Sequence, residues 1–282
     1  MSSPDPGDLL ELALSAARAA GLLLHEGRPE KVLVANTKSS STDVVTAMDR
    51  AAEALIIEHV LAVRPYDGVL GEEQGERLGS SGVRWVIDPI DGTVNYLYGI
   101  PQWAVSIGVE VDARAGSGPG AGPVMVAGVV HDPAKGETWT AVRGGGAFVA
   151  RAGADPQQIQ VSEVTTLEQT LLATGFGYDP ARRARQLAVL APMITTVRDI
   201  RRLGAASLDL VSVACGRLDA YMEAGLGPWD LAAGGLIAAE AGAVVSGLRG
   251  LPAGEALTVA VAPGIATALL ELLTELNADQ VL

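Results

Sequence analysis

Residues Arg84–Tyr96 read RWVIDPIDGTVNY, with two aspartates three residues apart across a proline, directly after an apolar run. Val83, Trp85, Val86 and Ile87 read as a buried strand ending at Asp88, where Pro89, lacking an N–H, stops the ladder. Gly92-Thr93 can then start a helix, with Thr93 near its N-terminus. On this reading Asp88 and Asp91 converge at a strand end, the Ile90 carbonyl is left free between them, and the Gly92 and Thr93 amides face outward. Hard cations such as Mg²⁺ take carboxylate and carbonyl oxygens. Phosphate oxygens take helix N-terminal amides. A Pro-x-Asp-Gly sequence is also what an ordinary surface turn looks like, so the stretch needs support from the rest of the chain.

The bulk properties narrow the classes. A chain of 282 residues buries roughly three quarters of its unfolded surface and needs no staples. Its apolar share of 49% comes mostly from Ala, Val and Leu rather than aromatics, with 34 glycines besides, a globular composition. The apolar run ALTVAVAPGIATALL is short and split by Pro263-Gly264, so no membrane span is expected. Asp5, Asp8 and Glu11 occupy the N-terminal segment where a secretory signal would carry positive charge. The single cysteine, Cys215, excludes an intrachain disulfide framework. These features point to a cytoplasmic protein. A net charge of −13 argues against direct nucleic-acid contact, and would repel a phosphate ester unless clustered carboxylates held divalent cations.

Apolar residues at helical spacing predict a helix over 8–27 with Gly27 as its stop. A second helix is expected from about Thr46 to Pro65, with Leu55, Ile56, Val60 and Val63 on its apolar side. VRWVID, WAVSIGVEV, VMVAGVVH and ETWTAV read as strands, and RAGSGPGAG (114–122) as a hairpin loop. After a composition break at 150–158 the chain alternates: strand TLLATGF, helix over about 180–192, strand-like TTVRDIRRL, helix AASLDLVSVACG, strand LDAYME, helix WDLAAGGLIAAEAG, strand LTVAVA and a last helix. The alternation predicts a layered α/β or α+β architecture: one domain over 1–282, with two lobes at roughly 1–150 and 151–282.

More carboxylates gather in pattern. VLGEEQGE sets Glu72 and Glu73 after what looks like a strand end, and GLGPWDLAAGG sets Asp230 at a helix start, where an ordinary cap would also stand. KSSSTDVVTAMD contributes Lys38, Asp43, Thr46 and Asp49. In the order KSSSTDVVTAMD, GEE, WVIDPIDGTVNY and GAASLDLVSVACGRLDAYMEAGLGPWDLAAGGLIAAEAGA, these blocks resemble the inositol monophosphatase family of Mg²⁺-dependent phosphatases, from about Leu9 to the last helix.

The resemblance implies a layered αβαβα sandwich of the inositol monophosphatase and fructose-1,6-bisphosphatase type, and a homodimer. It assigns one metal to Glu72, Asp88 and the Ile90 carbonyl, and a second to Asp88, Asp91 and Asp230. Roughly two to three Mg²⁺ per subunit are implied, with Li⁺ inhibition. Water activated by the metals attacks phosphorus without a covalent enzyme intermediate. Thr93 orients the water, Glu72 accepts its proton and Asp49 holds the Thr93 hydroxyl. Lys38 and Asp43 belong to a loop near the metals. Asp91, Gly92, Thr93, Ala206, Glu223 and Asp230 are implied to contact substrate, Glu223 and Ala206 at ring hydroxyls, which favours myo-inositol 1-phosphate. The partner expected is thus a small phosphorylated polyol. Histidinol phosphate, or another small sugar or nucleotide phosphate, is the enzymatic alternative. A transcription-complex binding protein with dispensable catalysis is the alternative of another class. Tyr96, where phenylalanine is common, and Pro228 depart from the family pattern.

Overall fold

A computed structural model describes residues 4–28, 34–37, 44–112, 122–151 and 154–281. Lys38, Asp43 and nearly all of the expected 114–122 loop lie outside these described residues. The chain begins with α1 (Pro6–Glu26), a ribbon of β1 (Val34–Thr37) and β2 (Val44–Thr46), and α2 (Ala47–Val63). There follow β3 (Gly68–Gly71), β4 (Gly75–Arg77), β5 (Val83–Asp91), α3 (Thr93–Tyr98), β6 (Ala104–Val111) and β7 (Val124–Asp132). β8 (Glu137–Val142), β9 (Ala147–Arg151) and β10 (Gln157–Gln158) complete an eight-stranded sheet of order β10-β9-β8-β7-β6-β5-β3-β4. The later chain forms β11 (Leu171–Thr174), α4 (Pro180–Met193), β12 (Asp199–Arg201), α5 (Ala206–Ala214) and β13 (Ala220–Glu223). α6 (Pro228–Glu240), β14 (Val244–Ser246), β15 (Thr258–Val261) and α7 (Ala266–Glu275) close it. The second sheet has five strands in the order β12-β11-β13-β15-β14.

Three apolar clusters separate five layers. α1 and α2 bury Leu9, Ala16, Ala20, Ile56 and Val60 against Trp85, Ile87, Ile107 and Val109 on one face of the large sheet. Its other face, through Ala104, Val130 and Trp139, packs with Leu210, Val211, Ala233 and Ile237 of α5 and α6 and with Tyr221 and Ala260 of the small sheet. The far face of the small sheet, through Leu172, Met222, Val259 and Val261, is covered by Val189 and Met193 of α4 and Leu269 and Leu273 of α7. Strand side chains alternate faces, so consecutive residues 259 and 260 serve different clusters. The result is the αβαβα sandwich that the resemblance implies.

The helix boundaries have local causes. The Asp5 carboxylate accepts from the Gly7 amide and Pro6 opens α1, while Gly27 closes it by donating to the Leu23 carbonyl. Thr46 caps α2 in a capping box with Asp49. Val63, expected on the apolar side of α2, is 67% exposed in the helix's last turn. Within the strand-like 195–203 stretch only Asp199–Arg201 pairs.

Candidate active site

The ladder does not end at Asp88, as the proline leads one to expect; β5 continues through Pro89 to Asp91. Asp88 pairs with Ser106 and Asp91 with Ala104, so three steps along β5 face two along β6. The extra residue is a bulge, a place where a proline's missing N–H does little harm. Residues three apart on a regular strand point to opposite faces. The bulge cancels that offset and turns Asp88 and Asp91 toward one cleft. Asp230, in the first turn of α6, completes the group. One carboxylate oxygen from each of Asp88, Asp91 and Asp230 lies within 4.8 Å of the others.

Each acid is held by backbone amides. Asp88 Oδ1 accepts from the Ile90 N–H at 3.0 Å. Asp91 accepts from the Ala206 N–H at 3.1 Å and from the Ser207 N–H and Oγ–H at 2.6 and 2.5 Å, at the N-terminus of α5. Asp230 Oδ2 accepts from the Gly227 N–H at 2.7 Å, and Pro228 fills the first helical position, where no N–H is needed. Glu72 follows β3, with its N–H on the Ile87 carbonyl. The next turn is pinned by the buried Glu53 carboxylate, which accepts from the amides of Glu73 and Gln74 at 2.9 and 2.8 Å.

Gly92 sits at φ +95°, where a Cβ would meet the Gln102 carbonyl at 2.9 Å, and this sharp turn delivers Thr93 into the cleft. The Thr93 hydroxyl lies 3.1 Å from both Asp49 Oδ1 and the Ile90 carbonyl. The carbonyl expected to be free therefore has a donor within reach, and one hydroxyl proton is shared between two acceptors. Asp49 meanwhile accepts from the Thr46 N–H at 2.8 Å and the Thr46 hydroxyl. It is cap and Thr93 partner at once.

Burial drives the electrostatics. It pushes Asp88 and Asp230 well above the usual carboxylate range, and the charges of neighbouring acids, Glu72 and Asp91 among them, push both further. Burial also raises Asp91 against the pull of its donors at α5. Asp49 is pushed up to about 6 by burial, which outweighs its hydrogen bonds to Thr46. Acids crowded in this way resist ionising together; a divalent cation among their oxygens reverses the balance. The donor set is all oxygen, which fits a hard cation such as Mg²⁺.

The acids open on a cavity of about 560 Å³. Glu72, Asp88, Ile90, Asp91, Gly92 and Thr93 line it from β3, β5 and α3, and Asp230 from α6. The second sheet and its loops add Gly175, Phe176, Tyr178, Arg202 and Glu223, α4 adds Arg182, and Ala206 and Trp229 come from α5 and α6. Asp49 does not line the cavity and reaches it only through Thr93. The Ala206 amide is engaged by Asp91. Glu223 Oε2 accepts from the Tyr221 hydroxyl at 2.7 Å, and burial pushes this carboxyl up to about 7. A Cβ on Gly175 would lie 1.9 Å from Glu223 Oε2, so only glycine lets that loop lie against the acid.

Arg182, Arg202, Phe176 and Tyr178 were not legible as cavity residues, because their segments carry no ligand pattern, and Trp229 was passed over beside Asp230. Glu53 left a signal: it lies four residues after Asp49 and three before Ile56, a charge on the buried stripe of α2. Cys215 caps α5, half-buried, with its thiol pushed up by burial, which makes it a poor nucleophile.

Known proteins share this architecture and sequence. The model of the inositol monophosphatase family matches residues 5–281. An inositol-1-monophosphatase of Mycobacterium leprae is 46% identical over 250 residues, covering 85% of this chain and 81% of the relative. A Nus factor SuhB of Pasteurella multocida is 38% identical over 244 residues, 86% of each chain. The crystal structure of the extragenic suppressor protein suhB from Bartonella henselae superposes with a TM-score of 0.84 at 34% identity, covering 95% of this chain and 99% of the other.

Proposed function

The chain belongs to the inositol monophosphatase family and is a phosphatase, and from that premise we propose that it hydrolyses myo-inositol 1-phosphate to myo-inositol and phosphate with Mg²⁺. The observation that carries the reading is the meeting of Asp88, Asp91 and Asp230 within 4.8 Å beside a cavity that also contains Glu223. Glu72, Asp88, Asp91, Asp230 and the Ile90 carbonyl are the groups that would hold the ions. When bound, Mg²⁺ supplies Lewis-acid polarisation of the phosphoryl group, a more acidic water and stabilisation of the leaving alkoxide.

The chain's own groups do the rest. Thr93 Oγ donates to Asp49, which leaves its lone pairs to accept from the attacking water and aim it. Glu72, after β3, takes the proton of that water. Glu223 accepts hydrogen bonds from adjacent ring hydroxyls, an arrangement that suits a polyol. Ala206 and Gly92 shape the site around the ester. No protein nucleophile is needed, in keeping with the raised thiol of Cys215.

A homodimer in the cytoplasm accompanies this reading, as family membership implies. Among the described residues no helix is long and apolar enough to cross a membrane. Phosphate release from inositol 1-phosphate and histidinol phosphate, side by side at fixed Mg²⁺, tests the proposal. A kcat/KM that favours histidinol phosphate by a large factor overturns the substrate, and hydrolysis insensitive to chelation overturns the metal. A second reading, a binding role in a transcription complex, draws on the Nus factor relative. A pull-down with RNA polymerase components, set beside Mg²⁺-dependent turnover, separates the two. The net charge of −13 and the assembled acids favour the enzyme.

A further inference from the structure

Gln186 is a polar side chain on the buried side of α4, only 7% exposed, with Val189 and Met193 as the other buried residues of that helix. Its carboxamide is used twice. Oε1 accepts from the Gly177 N–H at 2.9 Å, and Nε2 donates to the Ala224 carbonyl at 3.3 Å. Arg183, on the same helix, donates from Nε to the Gly177 carbonyl at 2.7 Å, so α4 holds both backbone polar groups of Gly177, one in each of two successive peptides.

The two segments that Gln186 joins stand on either side of Glu223. Gly175 and Gly177 belong to the loop whose backbone lies against the Glu223 carboxylate, and Ala224 is the residue next to it. The Tyr221 hydroxyl holds one oxygen of the acid, but Tyr221 fixes no loop. Without the carboxamide, the half-buried Gly177 amide loses its partner, and the Ala224 carbonyl loses its own in a small pocket that Val189, Met222, Leu257 and Val281 line together with Glu223. Unpaired buried groups of this kind drive local rearrangement.

We infer that Gln186 is a positioning residue for substrate selection: by tying the 175–179 loop to Ala224 it sets where the Glu223 carboxylate meets the polyol. It touches neither substrate nor the acids around Asp88. The inference rests on the reading above, that Glu223 receives ring hydroxyls.

The test is steady-state kinetics of the full-length enzyme on two esters, inositol 1-phosphate and p-nitrophenyl phosphate, which has no vicinal hydroxyls. Gln186→Leu suits the apolar surroundings and removes both bonds. It should raise KM for the polyol ester roughly five- to tenfold, the effect of losing one or two buried hydrogen bonds. Its kcat and both constants for the aryl ester should stay within about twofold of wild type. Gln186→Glu keeps the acceptor for Gly177 but sets an oxygen against the Ala224 carbonyl beside Glu223, so it should raise polyol KM at least as much as Gln186→Leu. Arg183 is exposed, so Arg183→Ala does not threaten folding and should move polyol KM the same way by less. Equal losses on both esters, or no change in polyol KM with any of the three variants, overturns the positioning role. A wild type that does not prefer the polyol overturns the Glu223 reading and this inference together.

Discussion

Asp88, Asp91 and Asp230 stand on backbone amides, from Ile90, from Ala206 and Ser207, and from Gly227. Glu223 stands instead on a side-chain hydroxyl and a glycine, in a wall whose loop is gripped by two side chains of α4. Amides at a bulge or a helix start are fixed by the chain's own path, so they give an acid little freedom to drift. A wall assembled from side chains of separate elements can be re-cut without touching the acids. The contrast separates chemistry from selection: changes among the acids should act on every phosphate ester, and changes in the wall on polyols alone.

The hardest blow to that division is aimed at Asp88. Asp88→Asn removes one of the three clustered acids and a charge common to both proposed ion positions. We expect kcat to fall by roughly a thousandfold or more on polyol and aryl esters alike, with Mg²⁺ affinity weakened in calorimetric titration. Unchanged Mg²⁺ affinity would remove Asp88 from the ion site. Thr93→Ala should cost less, about a hundredfold in kcat with little change in KM, since it takes away one orienting hydroxyl. Turnover at the wild-type rate would remove Thr93 from the reaction. A loss confined to polyol esters in either variant would break the comparison itself.

How much of this was legible follows the same line. The acids near Asp88 sit in one short stretch, and strand, proline, glycine and helix start are read from neighbours in sequence. Even there the bulge escaped, because the proline that looked like a stop is accommodated by an added residue. The partnership of Asp91 with Ser207 joins residues 116 apart, and nothing local announces it. The wall was barely legible: Gly177, Gln186 and Ala224 come together only once α4 folds over the small sheet. β9 was missed because it follows directly on the glycines 144–146, and β14 because it is only three residues long. Tyr96, a departure from the family pattern, has a physical account. Its hydroxyl donates to the Leu24 carbonyl at 2.9 Å and ties α3 to α1, a bond phenylalanine could not make.

Glu223 sharpens the comparison through pH. Its carboxyl, raised to about 7 by burial, is ionised and able to accept two hydroxyls above that pH, and becomes protonated below it. The ratio of kcat/KM for inositol 1-phosphate to that for p-nitrophenyl phosphate should therefore fall severalfold between about pH 8 and pH 6. Taking the ratio cancels titration of the acids around Asp88, which act on both esters. Glu223→Gln should give a low ratio that no longer changes with pH. A wild-type ratio flat across this range would show that the carboxylate does not receive the ring.

The smallest effect is expected between the two regions, at Asp209 of α5. It is 1% exposed, its Oδ1 has no hydrogen-bond partner, and burial, then Glu223 and Asp91, raise its carboxyl well above the usual range. A carboxyl whose folded pKa exceeds its unfolded value of about 3.9 binds its proton more tightly in the folded state. It therefore favours folding in acid, and that advantage is lost as pH rises from the unfolded pKa through the folded one. Asp209→Asn carries no such dependence. Its Tm should match wild type near pH 4 and exceed it by about 2–4 °C at pH 7, where a penalty of about 1 kcal/mol is relieved. Among the described residues, Arg202 is the cation acting on this acid, and it opposes the shift. A variant less stable than wild type at pH 7 would mean that Asp209 is ionised in the folded protein and held by that guanidinium, joining the wall to α5 by charge.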